Sequence, residues 1–210
     1  MDSRPQHPRG TMRAITQLGY GGTEVLSLAE VETPVTGDDE VQERFVALRP
    51  TTVDAVHASS VPVSGTTALQ GLRLAGVAPG QNVLVNGASG GVGGGRYDVL
   101  FDLVADHPLG RVRRSLTRHG TLLVAAGKGG KVLGPVGRIV RASTMSLFVP
   151  QRLRPPAARR NGGDLAELTR RIDAGEVVPV VDEVFPRERA AEAITRLDSG
   201  EVRGKVVITV

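Results

Sequence analysis

A chain of 210 residues with 40% hydrophobic content holds enough apolar material for a buried core, which sets it apart from disordered polypeptides. It has no cysteine, which removes disulfides and thiolate metal sites, and its four histidines (His7, His57, His107 and His119) lack i, i+4 spacing, so no metal site is expected. The net charge of +4 hides an asymmetry: no Asp or Glu occurs from His107 to Gly163, where twelve Arg and Lys residues fall. That segment is either a solvated basic face or an attractor of phosphate-bearing ligands and acidic partners.

Residues 1–11 mix Arg, Pro and His without apolar periodicity and read as a disordered tail. Alternating patterns over Met12–Leu18 and Glu24–Val31 flank Tyr20-Gly21-Gly22, which predicts a β-hairpin. A further strand is expected from Val41 to Leu48, so residues 12–50 form a small β-unit of three strands at most. Thr52 is placed to cap a short helix through Val56 and Ser60. Ser64-Gly65-Thr66 leads into an amphipathic helix through Ala68, Leu69, Leu72 and Ala75, stopped at Gly76.

The stretch Asn82 to Gly95 is the most informative. Val83 to Val85 form a β-branched apolar run, and Gly87, Gly90 and Gly93 follow at every third residue. Backbone without Cβ atoms can turn sharply at a strand end and bring its N–H groups within contact of a pyrophosphate. A dinucleotide-binding βαβ unit uses the same device, but there a helix follows at once and adds its dipole. Here the next strand, Tyr97 to Val104, begins almost immediately. For the two strands to run parallel, residues 88–96 must return about 20 Å, which an extended segment can do and a helix cannot. The Asn82 strand is then expected at a sheet edge.

Asp106-His107-Pro108 is expected to open a helix with Leu109, Val112 and Leu116 inward and Arg113, Arg114 and Arg118 outward. Asp106 and His107 are read either as helix caps or as groups at a ligand crevice. Gly120 to Gly127 reads as a third buried strand, and residues 132–149 as a helix weakened by glycines. Asp164 is expected to cap a helix bearing Leu165, Leu168 and Ile172, closed by Gly175. A strand follows over Val177–Val184, then a helix from Pro186 with Ala190, Ala193, Ile194 and Leu197 inward and a Glu192–Arg196 pair outward. Gly200 ends it, before a last strand at Lys205–Val210. Strands alternating with helices from residue 82 onward predict an α/β layer sheet over residues 51–210.

Several of these segments resemble the zinc-independent quinone oxidoreductases of the medium-chain dehydrogenase/reductase superfamily. They are Met12-Arg-Ala-Ile, Pro62-Val-Ser-Gly-Thr-Thr-Ala-Leu-Gln-Gly, Val85-Asn-Gly-Ala-Ser-Gly-Gly-Val-Gly, Tyr97-Asp-Val-Leu-Phe-Asp-Leu-Val and Gly200-Glu-Val-Arg-Gly-Lys-Val-Val-Ile. The resemblance implies a Rossmann-type parallel sheet with flanking helices beside a β-unit from a chaperonin-like barrel. It also implies NADPH as cofactor, a quinone or unsaturated carbonyl compound as small-molecule substrate, and a homodimer. Two family segments are missing, one that completes the barrel and one that carries the phosphate-binding helix and two strands. The chain therefore resembles a shortened member.

Cofactor residues carry over only at Ser89, Gly90, Gly91, Val92 and Gly93, and no side chain stands out as a catalytic acid. The competing reading is a non-catalytic nucleotide- or partner-binding module. Nucleic acid is disfavoured, because 3% aromatic content leaves few platforms for stacking bases. No apolar run approaches the roughly 20 residues of a membrane span and no secretory leader is seen, so a cytoplasmic protein is expected.

Overall fold

The computed structural model describes residues 10–17, 19–34, 45–86, 96–104, 107–124, 134–155 and 159–210. In chain order its elements are strands β1 (Thr11–Gln17) and β2 (Leu26–Glu32), then helices α1 (Ala55–Ser59) and α2 (Pro62–Ala75). Strands β3 (Val83–Asn86) and β4 (Tyr97–Asp102), helix α3 (Leu109–Arg114), strand β5 (Leu116–Val124), helix α4 (Gly134–Ser146) and strand β6 (Arg152–Arg154) follow. Helix α5 (Gly162–Asp173), strand β7 (Val181–Pro186), helix α6 (Ala190–Asp198) and strand β8 (Lys205–Thr209) complete the order. The chain divides into two units, one of Gly65–Arg159 and one of Met1–Ser64 with Arg160–Val210.

The first of these units is built on a four-stranded sheet of order β3-β4-β5-β6 in which every pair is parallel. This is the α/β sheet expected from the alternation of apolar runs, with β3 at its edge. Side chains alternate across the strands. Leu100, Leu122 and Val124 therefore bury on the face covered by Leu109 and Val112 of α3 and Ala142 of α4, whereas Val99 and Leu123 bury on the opposite face with Ala75 of α2. Gly71 of α2 allows the close approach on that side, since a Cβ there would lie 2.8 Å from Phe101 Cε1. Gly120 does the same inside the sheet: a Cβ would meet the Tyr97 carbonyl oxygen at 2.9 Å and the Asp98 carbonyl oxygen at 3.1 Å.

The other unit contains the antiparallel hairpin β1–β2 and the parallel pair β7–β8. Its buried side chains are Leu168 and Ile172 of α5, Phe185 of β7 and Ala190 and Ala193 of α6. Thr51 and Thr52 are held to the end of α5 by Asp173, whose Oδ1 accepts from both backbone N–H groups at 2.8 and 3.0 Å and from both hydroxyls. Thr169 Oγ1 donates to the Leu48 carbonyl at 2.9 Å one turn earlier.

Several expected details are corrected. Residues 46–50 form no strand, and the Leu48 carbonyl accepts from Thr169 Oγ1 instead of from a ladder partner; residues 41–44 lie outside the described set. Asp54, not Thr52, caps α1, accepting from His57 N–H. Asn161, not Asp164, caps α5, and Asp164 is buried in its first turn. Helix α3 ends at Arg114, so Leu116 is buried as the first residue of β5. Pro186 closes β7, and α6 begins at Ala190 with Leu197 59% exposed. Glu192 pairs with Arg189, leaving Arg196 to Asp182, Glu183 and Glu201. The stops at Gly76, Gly175 and Gly200 hold, each with φ between 67 and 72°.

Candidate functional site

The carboxyl ends of parallel strands are where open α/β sheets bind ligands. In this sheet the ends of β3 and β4 are Asn86 and Asp102, which stand opposite each other in the register. By alternation both point to the face that carries Leu100 and helix α4, and both are buried, Asp102 completely. A buried carboxylate requires charge compensation and hydrogen bonds. Asn86 Nδ2 donates to Asp102 Oδ1 at 2.7 Å, and Arg138 Nη2 from α4 donates to Oδ2 at 2.5 Å. The other terminal nitrogen of Arg138, Nη1, donates to the His107 carbonyl at 2.9 Å. The same arginine therefore ties α4 to the end of β4 and to the residue that precedes Pro108 and α3. Its Nε is buried and finds no hydrogen-bond partner. Leu103 N–H donates to the Asn86 carbonyl at 3.0 Å, locking the two strand ends at the main chain as well.

The sequence-derived cofactor residues Ser89, Gly90, Gly91, Val92 and Gly93 lie outside the described residues, as do Asp106, Lys128 and Lys131. They share this with the whole glycine segment, which is attached directly to Asn86. His107 contributes its carbonyl to Arg138 and does not cap α3, whose first turn is preceded by Pro108 without a side-chain cap. Of the acid-free basic segment, Arg138 is spent on Asp102, whereas Arg111, Arg114, Arg118, Arg141, Arg152 and Arg154 are exposed.

Sequence reading did not bring Asn86, Asp102 and Arg138 together. The available signal was that two neighbouring apolar strands each close on a buried polar residue in matching register, which demands a partner from the covering helix.

Elsewhere, the unit that contains α5 holds a cavity of about 190 Å³, lined mainly by apolar side chains including Leu48, Pro50, Val61, Leu168 and Ile172. His57 Nδ1 lies 2.7 Å from Asp54 Oδ1 at the surface, and the backbone and ring of His57 hold the Asp54 carboxyl below its usual range. Among the described residues no group of three or more His, Asp or Glu side chains is arranged to hold a metal ion, and no helix is long and apolar enough to cross a membrane.

The profile of a family described as zinc-binding dehydrogenase matches residues 80–208, from the turn before β3 into β8. A 2-methylene-furan-3-one reductase of Solanum lycopersicum is 26% identical over 199 residues, covering 80% of this chain and 50% of the relative. The chloroplastic NADPH-dependent alkenal/one oxidoreductase of Arabidopsis thaliana is 26% identical over 202 residues, again with 80% and 50% coverage. The chain thus spans about half the length of the curated relatives it matches. Among solved structures, the quinone oxidoreductase from Coxiella burnetii aligns with a TM-score of 0.76 at 16% identity, over 96% of this chain and 100% of that one. At that identity the likeness establishes the fold.

Proposed function

This chain belongs to the zinc-binding dehydrogenase family, as a quinone oxidoreductase-like member of the medium-chain dehydrogenase/reductase superfamily, and from that premise we propose that it is an NADPH-dependent oxidoreductase of quinones or related unsaturated carbonyl compounds. One observation carries the reading: the family match spans residues 80–208, a range that includes the glycine segment and the parallel sheet whose carboxyl edge holds Asn86 and Asp102. The fit to a dinucleotide rests on the chemistry of that edge, where a strand end bearing a buried amide bonded to Asp102 delivers the chain directly into glycines.

NADPH, when bound, supplies the hydride. The protein's part is to bind and orient. Backbone N–H groups of Ser89, Gly90, Gly91, Val92 and Gly93 are the proposed donors to the diphosphate, and exposed arginines of the acid-free segment raise the local concentration of the anion. No side chain is assigned as a proton donor. The reaction proposed is the zinc-free one, because a chain without cysteine cannot supply thiolate ligands. We further infer a cytoplasmic homodimer that does not act on nucleic acid.

A second reading is favoured by the half-length coverage: a non-catalytic nucleotide- or partner-binding module derived from the same family. Titration of NADPH followed by its fluorescence, together with NADPH oxidation in the presence of a quinone and of an alkenal, separates the two. Saturable binding with turnover supports the oxidoreductase. Saturable binding without turnover supports the module, and absence of binding at millimolar cofactor removes the oxidoreductase.

A further inference from the structure

We propose that the amino-terminal edge of the four-stranded parallel sheet is a docking surface for an anionic lipid bilayer, with Leu147 and Phe148 entering the membrane and exposed arginines holding its headgroups. The proposal is independent of the NADPH reading and concerns the edge opposite Asn86 and Asp102. Between Gly65 and Arg159 the sequence carries thirteen Arg and Lys against three Asp. Of these acids, Asp98 accepts from the Asn82 N–H and the Thr117 hydroxyl, Asp102 is buried against Arg138, and Asp106 lies outside the described residues. Little negative charge is left to cancel the arginines.

Where the parallel strands begin, Arg96 precedes β4, Arg114 and Arg118 flank the first residue of β5, and Arg152 opens β6; all four are exposed. The Ser115 carbonyl accepts from the Tyr97 N–H at 2.8 Å, which joins the first two of these starts. Helix α4 crosses back over the sheet, so its end and the turn into β6 come to the same edge. In that turn Leu147 and Phe148 are 80 and 81% exposed. The turn is braced: Met145 and Val149 on either side pack against the core, the Leu153 N–H donates to Ser146 Oγ at 3.1 Å, and Arg113 Nη1 donates to Gln151 Oε1 at 3.0 Å. Single apolar residues at a surface are ordinary, but two adjacent ones projecting from a braced turn on an arginine-rich edge mark an interaction site. A protein partner needs a matching hollow for such a tip, whereas a fluid bilayer opens around it. Charge of one sign spread along an edge suits the smeared negative charge of lipid headgroups. Attachment of this kind lies on the bilayer and needs no spanning helix.

The chain has no Trp, so Phe148→Trp places one emission reporter at the tip. Vesicles of phosphatidylcholine mixed with phosphatidylglycerol should shift its emission to the blue and carry the full chain into the pellet, both weakened by salt, while phosphatidylcholine alone should do neither. Changing Leu147→Ser and Phe148→Ser together should weaken partition onto the mixed vesicles about tenfold, with thermal unfolding unchanged. Arg114→Gln, Arg118→Gln and Arg152→Gln should each weaken it about fivefold. No co-sedimentation with the mixed vesicles overturns the proposal, as does co-sedimentation without an emission shift or an equal response to phosphatidylcholine alone. Salt-sensitive binding to duplex DNA or to polyglutamate in place of the vesicles assigns the arginines to another polyanion and overturns it too.

Discussion

The two units hold their strands by different means. In the four-stranded sheet, β4 and β5 are covered on both faces, with Leu100, Leu122 and Val124 wholly inaccessible, and burial of apolar surface dominates. In the unit of β7 and β8 the strands are half open: Val184 and Ile208 are 45 and 40% exposed. Charged and polar clips supplement the packing of Phe185, Ala190, Ala193, Leu168 and Ile172 there, among them the Asp173 strap on Thr51 and Thr52 and the Arg196 cluster with Asp182, Glu183 and Glu201. The difference teaches that one region should fail through cavities and overpacking, and the other through loss of charge.

Leu122→Ala breaks the comparison most severely. It empties a fully buried site between α3, α4 and the sheet and should cost about 2–5 kcal/mol, read as a shift in the urea midpoint at neutral pH. Gly120→Ala comes next. Its Cβ would press on two backbone carbonyls of β4, which cannot rotate away, so a loss of about 1–3 kcal/mol is expected in the same measurement.

The smallest effect belongs to acid and falls on the other unit. Hydrogen bonds from Thr52 and Thr51 hold the Asp173 carboxyl below its ordinary value of 3.8. The folded state therefore binds this proton less readily than the unfolded state, so the stabilisation is complete above that ordinary value and is lost as pH falls through the depressed one. Asp54 acts with the same sign at the start of α1. Thermal unfolding followed from neutral to strongly acidic pH should show this sensitivity reduced in Asp173→Asn, with the Leu122→Ala loss unchanged in the same variant background.

Much of the sheet was legible because its signals are local. Val83–Val85, Tyr97–Asp102 and Leu122–Val124 are short β-branched or apolar runs bounded by polar and glycine residues, and such runs form buried parallel strands. Strand β6 escaped reading because three residues, two of them exposed arginines, leave a single apolar side chain, Leu153, to announce it. The strap at Thr51 and the cap at Asn161 escaped for another reason. Thr52 and Asp164 each carry the chemistry of a helix cap, and only the distant partner Asp173 or the neighbouring Asn161 decides which role is filled. In the candidate site the glycines were visible at once, whereas the Asp102–Arg138 pair spans 36 residues and depends on how α4 lies over β4.

Strand β3 stands at the margin of the sheet with Val83 and Val85 39 and 42% exposed. A parallel sheet that stops at such a strand offers main-chain donors and acceptors to any extended segment that drifts alongside. Here the offer is only four residues long, and brevity is itself a safeguard against runaway stacking of copies. Lengthening this strand by insertion would therefore trade solubility for order, even where every new residue had high β-propensity.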